Sequence, residues 1–418
     1  MASPTQPTGT SGTASPPTAT VRPKAGRRVV LLLSIAVFAQ ESVWNFYDAQ
    51  VPASLRVYIA SAGVIGLLMG VDNVFGVVLQ PLMGHFSDRL RRRKGSRVPI
   101  ILVGAPVAAV FFVLIPWAHS LPVLLVFIIS FAFVSNCFKG VTEALLPDYV
   151  SAGKRSRANG FLKIATSLTI VSSSLVSLFV VDRSLRLAFA IPALFMLVCF
   201  AVVGIALRRI PAPAPVEPEH LDHPSFWRVF TGAFRDRRRL ALMLGILCFA
   251  GTWAGTRALL TPYGTEVLGL SRGVAGGLAL PGSIAFLIAA APIAYLSDRV
   301  GQARMIAYGI GVFIVGTLGA FAWQTPVASM VFIAVATVGY ATFSVNAVVA
   351  MWNSAPSGHQ LGVYTGLYTV AASTGGALGP AVLGWSVDLT GWHAFYLNAA
   401  VLAAVSLAVF ARIARRRS

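Results

Sequence analysis

Gly84-His85-Phe86-Ser87-Asp88-Arg89-Leu90-Arg91-Arg92-Arg93-Lys94-Gly95-Ser96-Arg97 stands between two long apolar runs. Six Lys/Arg behind a single acid, flanked by glycines, cannot rest in hydrocarbon, so the stretch reads as a hairpin in water at a membrane face. The preference of basic loops for the inner side makes that face cytoplasmic. A weaker echo, Ala294-Tyr295-Leu296-Ser297-Asp298-Arg299-Val300-Gly301-Gln302-Ala303-Arg304, follows about 210 residues later. Two copies predict two related halves.

Working outward, 56% of the 418 residues are hydrophobic, only 11% are charged, and the mean hydropathy is +0.75. A soluble domain carries about a quarter charged residues, so the expectation is an integral membrane protein embedded in a lipid bilayer. A net charge of +19 would suggest nucleic acid in a soluble chain. Here the basic residues cluster between apolar runs, which makes them topology signals and excludes a nucleic-acid partner. Cys137, Cys199 and Cys248 sit inside apolar runs without metal-ligand spacing, and neither a disulfide nor a metal site is expected.

A spanning helix needs about 20 mostly apolar residues. Segments 29–50, 61–86, 99–118, 122–146, 159–181 and 187–207 qualify in the first half, and 240–261, 273–296, 305–323, 327–351, 361–387 and 392–413 in the second. The fold expectation is an all-α integral membrane protein of twelve transmembrane helices in two pseudo-symmetric six-helix halves, 29–207 and 240–414. With both ends inside, 26 of the 33 Lys/Arg fall in inner segments, which predicts cytoplasmic termini and a plasma, or inner, membrane location. Residues 1–28, rich in Thr, Pro, Ser and Ala, read as a disordered tail rather than a signal peptide, and 415–418 as a basic tail. In the linker 208–239, Phe226, Phe230 and Phe234 recur every fourth residue, which predicts a surface-lying amphipathic helix. A monomer is expected.

The halves echo again where Asn159-Gly160-Phe161-Leu162 in segment five matches Thr365-Gly366-Leu367-Tyr368 in segment eleven, about 206 residues on. Repeated six-helix halves place a small-molecule site between them near the midplane and move by rocking.

Gly84, Asp88, Arg89, Arg92 and Arg93 match the Gly-x-x-x-Asp-Arg-x-x-Arg-Arg-Arg pattern of the major facilitator superfamily, which the chain resembles over almost its whole length. A narrower likeness, to the sucrose-transporter-like and glycoside-cation symporter groups, rests on 79–89, 97–106, Asp72-Asn73, 144–148 and 157–160. Those groups couple sugar uptake to protons or sodium, so the resemblance implies a proton- or sodium-coupled sugar or glycoside symporter that needs no cofactor beyond its coupling ion and is no enzyme. Where such relatives often carry an arginine in helix four, this chain has Lys139.

The first segment holds Gln40, Glu41, Trp44, Asn45, Tyr47 and Asp48 within an arc of about 160°. A charge at a helix centre costs about 2.5 to 3.5 kcal/mol on insertion scales, so this face should line an aqueous cavity. Glu41, about 18 Å from the inner end, is the first choice for a proton-binding carboxylate; the alternative is a permanent ion pair. Asp72, with Asn73, is a second coupling candidate, part of a sodium site, or an interhelical polar contact. Asn136, Lys139 and Glu143 share one face of segment four, where Lys139 either meets substrate hydroxyls, pairs switchably with Glu41, or is neutralised by Glu143. Asn346 is its counterpart about 207 residues on. Trp44, Tyr47, Trp253 and Trp352 are stacking platforms for a sugar ring or interfacial aromatics. Arg257 either contacts substrate or snorkels outward, and Lys163 snorkels. Gly84, Asp88, Arg89, Arg92, Arg93, Asp298 and Arg299 are the cytoplasmic gate, or topology signals alone. The competing function is a proton-coupled drug or metabolite efflux antiporter, which the absence of a Gly-Pro pair in segment five disfavours.

Overall fold

The computed structural model describes residues 27–150, 152–208, 210, 236–354 and 361–415. The predicted linker helix and most of both tails lie outside the described residues. The first half comprises α1 (Arg27–Arg56), α2 (Ala62–Lys94), α3 (Val98–Leu114), α4 (Leu121–Tyr149), α5 (Ala152–Val176) and α6 (Leu185–Arg208). The second comprises α7 (Arg237–Ala258) with α8 (Leu260–Glu266), α9 (Arg272–Gly277) with α10 (Leu280–Val300), α11 (Gln302–Ala322), α12 (Pro326–Trp352), α13 (Leu361–Thr390) and α14 (Phe395–Arg415). The seventh and eighth spans are each broken once, the eighth just ahead of Pro281 in the first turn of α10.

Among the described residues, eleven spans are long and apolar enough to cross a membrane on composition alone. The twelfth, α13, is 30 residues long but rich in Gly, Thr and Ser. Its composition follows from its place between α2 and α7, where close backbone approach matters more than lipid solubility. Gly66 on α2 meets the Pro380 carbonyl, and Gly379 meets Gly251 on α7, so that a Cβ at either glycine would overlap backbone. Elsewhere large side chains such as Val78, Val103, Leu194 and Ile288 stand exposed on the outside. A bilayer is the solvent that suits them.

The opening stretch is not an open hairpin. α2 continues as helix to Lys94, and only Gly95-Ser96-Arg97 turns the chain into α3. Gly95, at φ 73°, donates its N–H to Arg91 O at 2.8 Å, a left-handed cap that glycine adopts without steric cost. A helix of 33 residues is about 50 Å long, longer than the roughly 30 Å hydrocarbon core, so its basic end projects into water while still helical. The echo behaves alike, with Gly301 at φ 92° between α10 and α11.

The halves touch through α2 against α13 and through the far end of α5 against α9 and α10. Two junctions repeat one design. Asp388, at the end of α13, accepts from Ser61 Oγ (2.5 Å), Ala62 N (2.7 Å) and Gly63 N (3.0 Å) at the start of α2. Asp182, beyond α5, accepts from Ser271 Oγ (2.5 Å) and Gly273 N (2.7 Å) at the start of α9. Asp388 follows Asp182 by about 206 positions and Ser271 follows Ser61 by about 210, the same offsets as the sequence echoes. Each half therefore caps a helix N-terminus of the other, satisfying donors that a helix start leaves open.

Candidate functional site

A cavity of about 720 Å³ lies between the halves. Hydrogen bonds join the halves at the level of Arg257 and beyond it, away from the basic turns. Besides the two aspartate junctions, Arg272 donates to Gln50 Oε1 (2.9 Å), Gln50 O (2.7 Å) and Ser54 Oγ (2.7 Å). Thr261 Oγ1 donates to Ala49 O (2.6 Å), and Arg56 pairs with Glu266 at 2.9 Å. On the other side the lining reaches Gln80, Pro81, Glu143 and Thr365. The molecule is closed at the far side and open at the basic side.

α1 and α4 supply the central pair. Lys139 Nζ lies 2.9 Å from the Glu41 carboxylate and 5.5 Å from the centroid of the Trp44 ring, within cation–π range. Glu41 is 14 residues along α1, about 21 Å from its start, at mid-depth. Next along the same face, Asn45 Oδ1 accepts from Arg257 Nη2 at 2.8 Å, and Asp48 pairs with that nitrogen at 3.4 Å. Arg257 does not snorkel: it is drawn inward to the two α1 side chains and bridges the halves. Asp72 accepts from the Asn73 amide at 2.9 Å and has no cation within 4.0 Å among the described residues. The lining thus holds four acids (Glu41, Asp48, Asp72, Glu143) against two bases (Lys139, Arg257).

The amides are ordered by neighbours. Gln80 Nε2 donates to Asn136 Oδ1 at 3.1 Å, and Asn136 Nδ2 donates to Ala132 O at 2.9 Å and Asp72 O at 3.2 Å. Asn45 Nδ2 donates to Thr169 Oγ1 at 2.7 Å. From the second half Trp253 lies on Tyr340, ring centroids 3.8 Å apart and planes 7° from parallel.

Of the residues singled out in the sequence, Glu41, Trp44, Asn45, Asp48, Asp72, Asn136, Lys139, Trp253 and Arg257 line the cavity together. Four do not. Gln40 is buried and donates to Ser135 Oγ at 3.0 Å, fastening α1 to α4. Tyr47 is buried against Trp44 and Phe131. Both fall at one edge of the predicted arc, where α1 turns into its own half. Asn346 is buried and donates to Thr342 O of its own helix at 2.8 Å. Trp352, the last residue of α12, donates from Nε1 to Thr365 Oγ1 at 2.7 Å and stands one contact away from the cavity. Sequence reasoning missed Gln80, Tyr340 and the row Thr365, Thr369 and Ser373. That row recurs every fourth residue, a polar stripe along α13 that the search for charges passed over.

At the basic end Asp88 pairs with Arg97 at 2.5 Å, Arg97 pairs with Asp148 at 2.8 Å, and Arg91 also meets Asp148. These partners belong to the first half. Arg89, Arg92 and Arg93 are exposed, Gly84 is partly buried within α2, and Arg299 lies over the Tyr295 ring at 4.6 Å. The side chain of Asp298 lies outside the described residues.

The family model of the Major Facilitator Superfamily matches residues 29–290 and 282–418. The chain belongs to the major facilitator superfamily. The structure of a bacterial homolog of the human lysosomal transporter Spinster, inward-facing and unoccupied, is similar with a TM-score of 0.74 at 16% identity, covering 93% of this chain and 96% of that one. The nucleoside transporter NupG gives 0.73 at 14%, covering 92% and 98%. The peptide transporter POT in complex with sulfate gives 0.68 at 14%, covering 93% and 95%. At such identities the likeness is one of fold. Membership makes this facilitator a transporter rather than an enzyme, embedded in a membrane by its spans, with its cavity in the plane between the two halves.

Proposed function

We propose that the protein is a proton-coupled symporter for a sugar or glycoside, working by alternating access between the side described as open and the side sealed by Asp182, Asp388 and Arg272. The observation that carries the reading is the Glu41–Lys139 pair in the cavity wall, beside Asp72, which has no cation within 4.0 Å among the described residues. Lys139 is committed to Glu41, which leaves Asp72 as the carboxylate whose negative charge a proton would neutralise at least cost. Glu41 then exchanges between Lys139 and the solute, and Asp72 carries the proton across. This reverses the order of the two coupling candidates inferred from depth alone.

The sugar half of the proposal draws on the amides of Asn73 and Gln80, each of which spends one N–H on a neighbour, and on the hydroxyls of Thr365, Thr369 and Ser373 as acceptors, around Trp44 and Trp253. Side-chain amides present a donor and an acceptor together, which matches vicinal hydroxyls, and indole faces suit the C–H faces of a sugar ring. Inward orientation of the opening at the basic, cytoplasmic side follows from the distribution of Lys/Arg. A second reading, exchange of a proton for a cationic drug or metabolite in efflux, is favoured by one observation, the surplus of two acids in the lining.

Proteoliposomes with an imposed proton gradient test both. Wild type is expected to concentrate a sugar or glycoside from a panel. Asp72→Asn is expected to lose accumulation but keep exchange of labelled for unlabelled solute. Accumulation by Asp72→Asn with unchanged pH dependence sinks the coupling assignment. Gradient-driven efflux of cationic dyes without sugar uptake establishes the antiporter instead.

A further inference from the structure

Behind Arg257 the main cavity continues into a side chamber of about 220 Å³ between α5 of the first half, which contributes Thr166, Ser167 and Ile170, and α7, α10, α11 and α12 of the second. Glu41, Asn45, Trp253, Arg257 and Tyr340 line both spaces, so the chamber opens at the point where the charged groups converge. Its walls differ in kind from those of the main cavity. Phe286, Phe313, Phe332 and Ile333 contribute carbon surface. Five of the hydroxyls in its wall are turned back on their own helices: Thr166 donates to Leu162 O (3.1 Å), Thr256 to Thr252 O (2.7 Å), Ser283 to Ala279 O (2.8 Å), Thr317 to Phe313 O (3.0 Å) and Thr337 to Ile333 O (2.8 Å). A hydroxyl spent in this way offers the space no donor, only lone pairs. One buried hydroxyl of the wall differs. Tyr396, 1% exposed, lines the chamber with its Oη unpaired among the described residues.

We infer that the chamber is a second subsite of the transported solute, taking a ring-sized apolar group that bears one hydrogen-bonding atom at its far end. The inference rests on the sugar or glycoside reading above and narrows it from free sugars to glycosides with an aromatic aglycone. Size supports it, since an apolar cavity of about 150 Å³ lined by Leu, Ile and Phe admits benzene. Polarity supports it equally. Hydroxyls that donate to their own helices can only accept, so a polyol buried against this largely carbon wall would find few partners for its oxygens, whereas an aryl group loses nothing there and gains burial. Arg257 and Glu41 at the mouth retain the sugar hydroxyls in the main cavity and direct the aglycone past Trp253. Tyr396 Oη meets a substituent such as a phenolic oxygen on the distal ring carbon, completing a buried group that otherwise lacks a partner.

Equilibrium binding to the full-length purified protein in lipid nanodiscs tests this, using methyl, phenyl and 4-hydroxyphenyl glycosides of each sugar in the panel, with quenching of intrinsic tryptophan fluorescence as the readout. Phenyl glycosides are expected to bind about 10- to 100-fold more tightly than the matching methyl glycosides, with 4-hydroxyphenyl tighter still. Ser283→Leu, which fills the chamber, is expected to bring the phenyl-to-methyl ratio to about one. Tyr396→Phe is expected to erase only the added preference for the hydroxyphenyl compound. Equal affinity of methyl and phenyl glycosides for wild type overturns the subsite while leaving sugar transport standing. Failure of every sugar and glycoside to bind overturns the sugar reading, and this inference with it.

Discussion

The sealed end and the middle of the central cavity keep the likeness of the two halves unequally. At the sealed end Asp182 and Asp388, with Ser271 and Ser61, form the same junction twice, so each half caps a helix start of the other. At mid-depth the copies have parted. Lys139 pairs with Glu41 in the first half, while its counterpart Asn346 is buried on its own backbone in the second. The contrast has a physical reason. A gate must close on both halves together, which rewards matched geometry, whereas one asymmetric solute needs different chemistry on its two sides.

Substitutions can break this comparison at several points. The largest effect is expected at Lys139. Removing one partner of a fully buried ion pair costs about 3–5 kcal/mol. With the side chains of Lys139 and Glu41 24% and 20% exposed, the loss in Lys139→Ala should be about 2 kcal/mol, read as a lower midpoint of thermal unfolding in detergent. The double variant Glu41→Gln/Lys139→Gln should recover most of it. Equal unfolding of single and double variants would mean that the pair contributes nothing.

At the gate, Asp182→Ala and Asp388→Ala should each cost the sealed state about 1 kcal/mol, and together about 2 kcal/mol, because the two sites are far apart and should add. Distances between spin labels on the far ends of α2 and α13 would report the shift toward a far-side-open state. The symmetry argument demands nearly equal effects, and a shift from only one of the two would break it.

Smaller effects are expected in the second half. Asn346→Ala removes a hydrogen bond within one helix and should cost about 1 kcal/mol or less without altering solute affinity, in contrast to Lys139. Trp352→Phe removes only the bond to Thr365 and should change the binding constant by less than about twofold, within the scatter expected for a near-surface change. A tenfold loss there would return Trp352 to the site.

Much of the site was legible in the sequence because charge in hydrocarbon is conspicuous: Glu41, Asp48, Asp72, Lys139 and Arg257 stand out in apolar runs for the same reason that they must face a cavity. Polar neutral residues gave a weaker signal. Thr365, Thr369 and Ser373 look like small residues for close packing, and Gln40 and Tyr47 look like lining, until the rotation of each helix about its axis is known. Arg257 was ambiguous in sequence since an arginine near a helix end is stable either at the interface or at an inward partner. Only the approach of α7 to α1 brings Asn45 and Asp48 within reach.

Hydropathy, the run of basic residues from Arg89 to Arg97 and the echoes at about 206 and 210 residues were sufficient to establish twelve spans, their grouping into halves and the superfamily, because insertion into a bilayer is governed by local composition. Which faces meet, which end is sealed, and how Asp182 and Asp388 reach across the axis depended on tertiary structure. Those contacts join residues about 90 to 330 positions apart, and no local property of either partner specifies the other. The side chamber is the extreme case, a space bounded by several helices whose emptiness belongs to their packing and to no residue among them.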